Sequence, residues 1–268
     1  MSKVTWVYPK SVDELTECLK NDTRPHGGGT GFMRNVPQSG SLADLSGVGI
    51  ASVRVTDGSV RIGGAATFTA AASAIAAARP GHIVARALYD AASPALRNRI
   101  TIGGSLALFP PWSSVVGPLV ALDAELTIVG ATTGTYPVSE YIGNRELGAE
   151  TAITEIRADA SREWESHWYR FAPTHFNYPL FTVVVLTELD GTSISDCRIV
   201  LTGNRGRFKR LEAVENEIRG TSQPAVEVTP ADLGAGFPDR QGFSGEYLTH
   251  LAAVAITRGL RGAERNAT

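Results

Sequence analysis

Glycine gathers at two places in this chain, and that pair limits what it can fold into more than any other feature. Residues 24–33 read RPHGGGTGFM, so Gly27, Gly28, Gly29 and Gly31 crowd around Thr30. Residues 96–112 read LRNRITIGGSLALFPPW, with Gly103 and Gly104 flanked by Thr101, Ile102 and Ser105. A glycine segment tolerates positive φ and close approach, and its successive backbone N–H groups can converge on an anion. A diphosphate suits such a segment, since it needs several donors and no Cβ in its way. Taken singly, either segment could be no more than a tight connection. Together they could grip one elongated ligand from two sides.

Neither segment matches the common nucleotide fingerprints. No GxxxxGK[ST] run occurs, which removes the P-loop. A Rossmann GxGxxG sits between a strand and a helix, with an acidic ribose ligand about 20 residues on. Here a helix is expected before the first glycines and a short strand after them, the wrong order for that fold.

The surrounding pattern is α+β. Ser11–Asn21 reads as a capped amphipathic helix, with Ser11 as N-cap, Glu14 as its capping-box partner, and Val12, Leu15 and Leu19 on one face. Short strands are expected over Ser41–Leu45, Ser52–Asp57 and Ser59–Gly63. An alanine-rich helix over Thr67–Arg79 ends at Pro80-Gly81, and another covers Ile83–Ala92. Thr101–Ser105 is expected as a loop, Val115–Leu122 as a short buried helix and Glu125–Val129 as a strand. Tyr136–Tyr141 and Thr151–Arg157 read as pieces of a second sheet. The texture changes near Trp164. Beyond it, Leu180–Leu189 and Asp196–Thr202 are strands about an Asp190-Gly191 turn. Arg207–Arg219 has helical spacing, Pro224–Gly242 is loop-rich, and Glu246–Gly262 is a last helix with a fraying tail.

The chain has 268 residues, 43% apolar and 19% charged, with a formal net charge of −2. That balance supports a buried core and offers no basic field for nucleic acid. No secretory signal is apparent, and the alanine-rich stretch Phe68–Ala78 is too short to span a bilayer. A cytoplasmic protein without a membrane span is expected. Cys18 and Cys197 cannot supply four thiolates for an iron–sulfur cluster or a closed zinc site; both read as inert structural thiols. His26, His82, His167, His175 and His250 lack metal-ligand spacing. No metal site is expected, and any redox cofactor must be organic.

The chain resembles the FAD-binding, or medium, subunits of the molybdenum hydroxylases, the carbon monoxide dehydrogenase and xanthine dehydrogenase group, over nearly its whole length. Tyr8-Pro9-Lys10-Ser11 matches the family's Tyr-x-Pro-x-Ser lead into the first helix, and Gly27–Thr30 stands at its Ala-Gly-Gly-Thr loop. Arg97, Asn98 and Thr101–Ala107 reproduce Arg-Asn-x-x-Thr-Ile-Gly-Gly-Asn-Leu-Ala with Ser105 for the asparagine, and Ala121–Ala124 supplies Ala-Leu-Asp-Ala. Asn177-Tyr178-Pro179-Leu180, Asp196-Cys197-Arg198-Ile199 and the helix after Ser244 are similar to the family's C-terminal domain. Three positions depart. Ile100 replaces a glycine, Gly31 an acidic or polar residue, and Ser114 an aspartate near the flavin. Ser114 brings a hydroxyl but no charge to a place where charge tunes flavin potential.

The resemblance implies an α+β fold: a two-subdomain FAD-binding fold of the p-cresol methylhydroxylase type over 1–164, with subdomains near 1–55 and 56–164. A small α+β C-terminal domain would follow over 165–268. It implies an oxidoreductase subunit, not a complete enzyme. A molybdenum-cofactor subunit and an iron–sulfur subunit would hold the metal centres, FAD here would pass electrons to an external acceptor, and assembly would be a dimer of heterotrimers. Cofactor contacts are assigned to Gly27, Gly28, Gly29, Thr30, Gly31, Thr101, Ile102, Gly103, Gly104, Ser105 and Ser114. Among these, the backbone donors of Gly28, Gly29, Gly103 and Gly104, with Thr30, Thr101 and Ser105, would meet the diphosphate. Tyr178 would cover the isoalloxazine ring, and reads equally as a half-buried aromatic at a strand edge.

No side chain is nominated as acid or base, since flavin electron transfer needs none. Glu150, Glu155, Glu163 and Glu165 read as solvated charges. Arg205–Arg210 reads as a solvated helix start or as a docking patch for an acidic partner. Two other readings stay open: a free-standing flavin reductase such as the UDP-N-acetylglucosamine enolpyruvyl reductases, and a scaffold subunit that has lost flavin.

Overall fold

The computed structural model describes residues 4–32, 37–174, 177–234 and 236–262; the tail expected to fray and His175 lie outside them. The chain divides into two compact units, Met1–Pro110 with Leu122–Ser161, and Pro111–Ala121 with Arg162–Thr268.

The first unit opens with β1 (Val4–Val7), α1 (Val12–Lys20), β2 (Thr23–His26) and β3 (Gly40–Asp44). These strands form a parallel sheet in the order β1-β3-β2. Pro25 is tolerated because β2 is an edge strand, where a missing N–H costs no ladder bond. Next come β4 (Val53–Val55), β5 (Ser59–Gly63), α2 (Phe68–Ala78), α3 (Ile83–Asp90), α4 (Pro94–Arg97) and α5 (Ile102–Leu108). After α6 (Val116–Ala121), which belongs to the second unit, β6 (Glu125–Gly130), β7 (Gly134–Pro137), α7 (Val138–Gly143), α8 (Arg145–Gly148) and β8 (Thr151–Asp159) complete the first. Its second sheet is antiparallel in the order β4-β5-β8-β6-β7.

The cap of α1 shows how local chemistry sets these boundaries. Ser11 Oγ accepts from Glu14 N at 3.1 Å, while the Glu14 carboxylate accepts from Lys10 N at 2.7 Å. The reciprocal bond of the expected capping box thus reaches one residue further back. Leu15 and Leu19 are fully buried and pack with Ala43 and Leu45 beside β3 and with Val129 and Ala152 of the antiparallel sheet. One apolar helix face therefore ties the two sheets of this unit together.

The second unit contains α6, β9 (Glu165–Phe171), β10 (Phe181–Asp190), β11 (Ser193–Thr202), β12 (Phe208–Arg210), α9 (Glu212–Ile218) and α10 (Gly245–Leu260). Its sheet is antiparallel in the order β12-β11-β10-β9. Residues 181–187 of β10 are buried without interruption, and the two faces have different partners. Val183 and Val185 join a core with Leu248, Ala252 and Ile256 of α10. On the opposite face, Thr182, Val184 and Thr202 meet α6 at Gly117, where an added Cβ would fall 3.1 Å from Val184 Cγ2. That packing is why 111–121 groups with the C-terminal strands.

Two sequence expectations are corrected. Tyr136–Tyr141 is strand only to Pro137, because Val138 and Tyr141 are both buried at a helical spacing of three. Arg207–Arg219 is a strand followed by a helix. Glu215, only 2% exposed, turns its carboxylate inward to Ile199 N (2.8 Å) and Arg210 Nε (3.1 Å), binding α9 to β11 and β12.

Candidate cofactor site

β2 delivers the chain to the first glycine segment. His26, its last residue, meets Trp6 edge-on at 4.8 Å between ring centroids and lies parallel to Phe32 at 5.7 Å. Gly29 has φ of 76°, in the left-handed region that favours glycine. Its carbonyl accepts from Phe32 N at 3.1 Å and closes a turn. Among the described residues, no acceptor takes a hydrogen bond from the N–H groups of Gly28, Gly29, Thr30 or Gly31. Such a row of spare donors fits an anion.

The second segment is not the loop expected. Thr101 caps α5, its Oγ1 accepting from Gly104 N at 3.2 Å, and Ile102, Gly103 and Gly104 already lie in the helix. Ile102 N donates to Ala66 O and Gly103 N to Gly64 O, both at 2.9 Å. The N–H groups of Gly103 and Gly104 are therefore engaged within the protein. What this segment can turn to a ligand is the half-buried Ser105 hydroxyl and the close approach that exposed Gly104 permits.

The two segments pack directly on each other. A Cβ at Gly27 would fall 2.9 Å from Thr101 Oγ1, one at Gly31 would strike Leu108, and one at Gly28 would sit 1.4 Å from the Arg99 carbonyl oxygen. Gly103 is constrained in the same way by the carbonyl of Gly64, 2.7 Å from its Cβ position. Much of the glycine content thus serves contact between the segments, with the donors of the first left over.

Arg99, which the sequence reading passed over, wraps this junction. Its Nε and Nη2 both donate to Gly28 O, at 3.2 and 3.0 Å. Its side chain is exposed and pairs with no carboxylate among the described residues. The neighbouring Ile100 is held by its backbone, with N donating to Leu96 O and O accepting from Phe68 N at 2.9 Å, so the loss of a glycine there leaves the turn intact.

In the second unit, Ser113 and Ser114 are both buried, and the Ser113 hydroxyl has no hydrogen-bond partner. Tyr178 is about half exposed, and its ring lies 4.7 Å from that of Trp112. Sequence reasoning named Ser114 and Tyr178 but neither of their companions. Only the polar pair inside an apolar run, PPWSSVVG, hinted at them.

Elsewhere the chemistry is structural. Burial, with the Glu215 and Asp196 carboxylates nearby, pushes the Cys197 thiol up to about 12. Both cysteines are free, and no group of metal-binding side chains occurs among the described residues. Glu155 faces Arg61 at 3.5 Å. The basic run from Arg205 is divided, since Lys209 donates to Leu233 O at 3.1 Å and Arg210 holds Glu215. No helix among the described residues is long and apolar enough to cross a membrane.

The profile of the FAD binding domain in molybdopterin dehydrogenase matches residues 2–160. The chain belongs to this family. The match ends at residue 160, one residue short of Ser161, where the first compact unit ends. As a family member it is an FAD-binding oxidoreductase subunit of the molybdenum hydroxylase type. It is 26% identical over 246 residues to the nicotine 6-hydroxylase medium subunit of Paenarthrobacter nicotinovorans, covering 87% of this chain and 86% of that one. Solved structures share the fold. Carbon monoxide dehydrogenase from Hydrogenophaga pseudoflava superposes with a TM-score of 0.86 over 98% of both chains at 23% identity. Quinoline 2-oxidoreductase from Pseudomonas putida 86 gives 0.84 over 99% of this chain and 98% of its own at 18% identity. The α+β architecture read from the sequence is the one these structures have.

Proposed function

We propose that this chain is the flavin-bearing electron-transfer subunit of a multi-subunit molybdenum hydroxylase. It accepts electrons from an iron–sulfur subunit and passes them to an external acceptor, within a cytoplasmic dimer of heterotrimers. Bound FAD supplies the redox chemistry; the chain binds it, orients it and sets the charge around it. The observation that carries this reading is the row of unengaged N–H groups from Gly28 to Gly31, in a segment packed on Arg99, Thr101 and Leu108. Gly27 packs on Thr101 of the second segment, while Ile102 and Gly103 anchor that segment on Ala66 and Gly64. By the family resemblance, Ser114 would offer a hydroxyl to the flavin and Tyr178 would cover its ring. A family whose members bind FAD supports the assignment, as does likeness to a medium subunit over most of both chains.

The test is the visible spectrum of the purified full-length chain, with any chromophore released and identified. Flavin bands and FAD near one per chain are expected, together with co-purification of a cysteine-rich chain and a large chain from the native source. A chain that stays colourless when given FAD refutes the flavin role and leaves the scaffold reading.

A further inference from the structure

We infer that Arg99 is a positioning residue for the FAD diphosphate, acting by turning the Gly28–Gly29 peptide; this rests on the FAD-binding reading above. The peptide between two glycines has no Cβ on either side to bias its plane, so rotation costs little sterically. Something must choose its orientation if its N–H is to serve as a fixed donor. The Arg99 guanidinium does so, placing two donors on the single carbonyl oxygen of Gly28. In a planar trans peptide the C=O and N–H point in opposite directions. Anchoring Gly28 O toward Arg99 therefore aims Gly29 N–H away from it; the N–H groups of Thr30 and Gly31, next in the chain, are unengaged as well.

Two further observations bear on the role. The Arg99 main chain also lies against Gly28, its carbonyl oxygen occupying the space a Cβ would need. One residue thus clamps the segment with backbone and side chain together. A cation on the carbonyl also polarises the peptide and makes its N–H a stronger donor. With its fork on Gly28 O, Arg99 would act through the peptide, whose N–H at Gly29 faces the other way.

The experiment uses the full chain stripped of flavin, comparing wild type with Arg99→Gln and Arg99→Lys. Affinities for FAD and for ADP, which keeps the adenosine and diphosphate and lacks the flavin, are measured by titration. Amide exchange over residues 27–32 and the apo melting temperature are measured in parallel. Arg99→Gln is expected to weaken both ligands about tenfold or more. Exchange should speed up most in that segment, and the apo melting temperature should fall by about 3–12 °C, the loss that goes with the two Arg99 bonds. Lysine, with the charge but no fork, should recover part of the loss. Full recovery by lysine would assign the effect to charge and overturn the peptide-turning role, as would unchanged exchange over 27–32. Unaltered affinities in Arg99→Gln would overturn the inference and leave FAD binding standing. A wild-type chain that binds neither FAD nor ADP would remove both.

Discussion

The sharpest consequence of the packed segments is at Gly28. An alanine there would place its Cβ 1.4 Å from the Arg99 carbonyl oxygen and 2.5 Å from the carbonyl carbon. A carbon and an oxygen rest in contact at roughly 3.3–3.6 Å, so about 2 Å of separation must be found. Both partners are main chain, and no side-chain rotamer can relieve the overlap. If the structure stays in place, overpacking costs about 1–3 kcal/mol or more. If the first segment swings away, it forfeits the pair of Arg99 bonds to Gly28 O, about 1.5–3 kcal/mol for bonds from a charged donor. The cheaper route bounds the cost, so about 2–3 kcal/mol is expected in the first unit. At about 2–4 °C per kcal/mol, its melting temperature falls about 4–12 °C. Either route also misplaces the N–H row, so FAD affinity should fall further than stability does. Gly58→Ala, where nothing lies within 4 Å of the new Cβ, is the control. Thermal unfolding of apo chains and FAD titration decide the matter. Gly28→Ala matching Gly58→Ala in both measurements would refute the close approach on which the site is built.

His82 caps α3 through Nδ1, which accepts from Val84 N at 3.3 Å, and burial together with Arg79 lowers its pKa from 6.5 to about 4. Between those values the unfolded chain binds the extra proton, so stability falls as pH drops below 6.5, by about 2 kcal/mol at pH 5. His82→Asn keeps a capping side chain without titrating there, and its melting temperature should lose less than that of wild type between pH 7 and pH 5; equal losses would contradict the assignment. Glu215→Ala leaves the buried Ile199 N–H without its acceptor and removes one partner of the part-buried Arg210, and should cost about 1–3 kcal/mol in urea unfolding. A loss under about 1 kcal/mol would show the pair to be unimportant. Ser113→Ala removes a buried hydroxyl that has no partner, so apo stability should hold or rise by up to about 1 kcal/mol. FAD affinity should fall in the same variant if that hydroxyl serves the flavin; unchanged affinity would remove Ser113 from the site.

Local chemistry made much of this fold legible. Ser11 caps its helix as read, the alanine run ends at Arg79 before Pro80, and Asp190-Gly191 turns β10 into β11. What stayed hidden was short or contextual. β2 is the four-residue TRPH with a proline, recognisable only once β3 pairs with it. β9, ESHWYRF, has no alternation, and β10 supplies its register. Residues 208–218 mixed two periods because the charge on Glu215 points inward, which no periodicity anticipates.

At the site, the sequence marks where glycine is required without saying why. A ligand and a neighbouring backbone exclude a Cβ by the same steric rule, so GGGTG and TIGG read alike as cradles. The structure separates the two demands. Gly27, Gly28 and Gly103 are glycines because another part of the chain occupies the Cβ position, whereas Gly29 is one because its φ is 76°. Gly103 and Gly104 also spend their N–H groups at home, while Gly28 to Gly31 do not. The residue that orders the free donors, Arg99, occupies one of the unspecified positions in Arg-Asn-x-x-Thr-Ile-Gly-Gly. Its guanidinium acts on a carbonyl 71 residues away, a contact that no local pattern encodes. Only because Gly28 lacks a Cβ can the Arg99 main chain come this close and its guanidinium reach the Gly28 carbonyl.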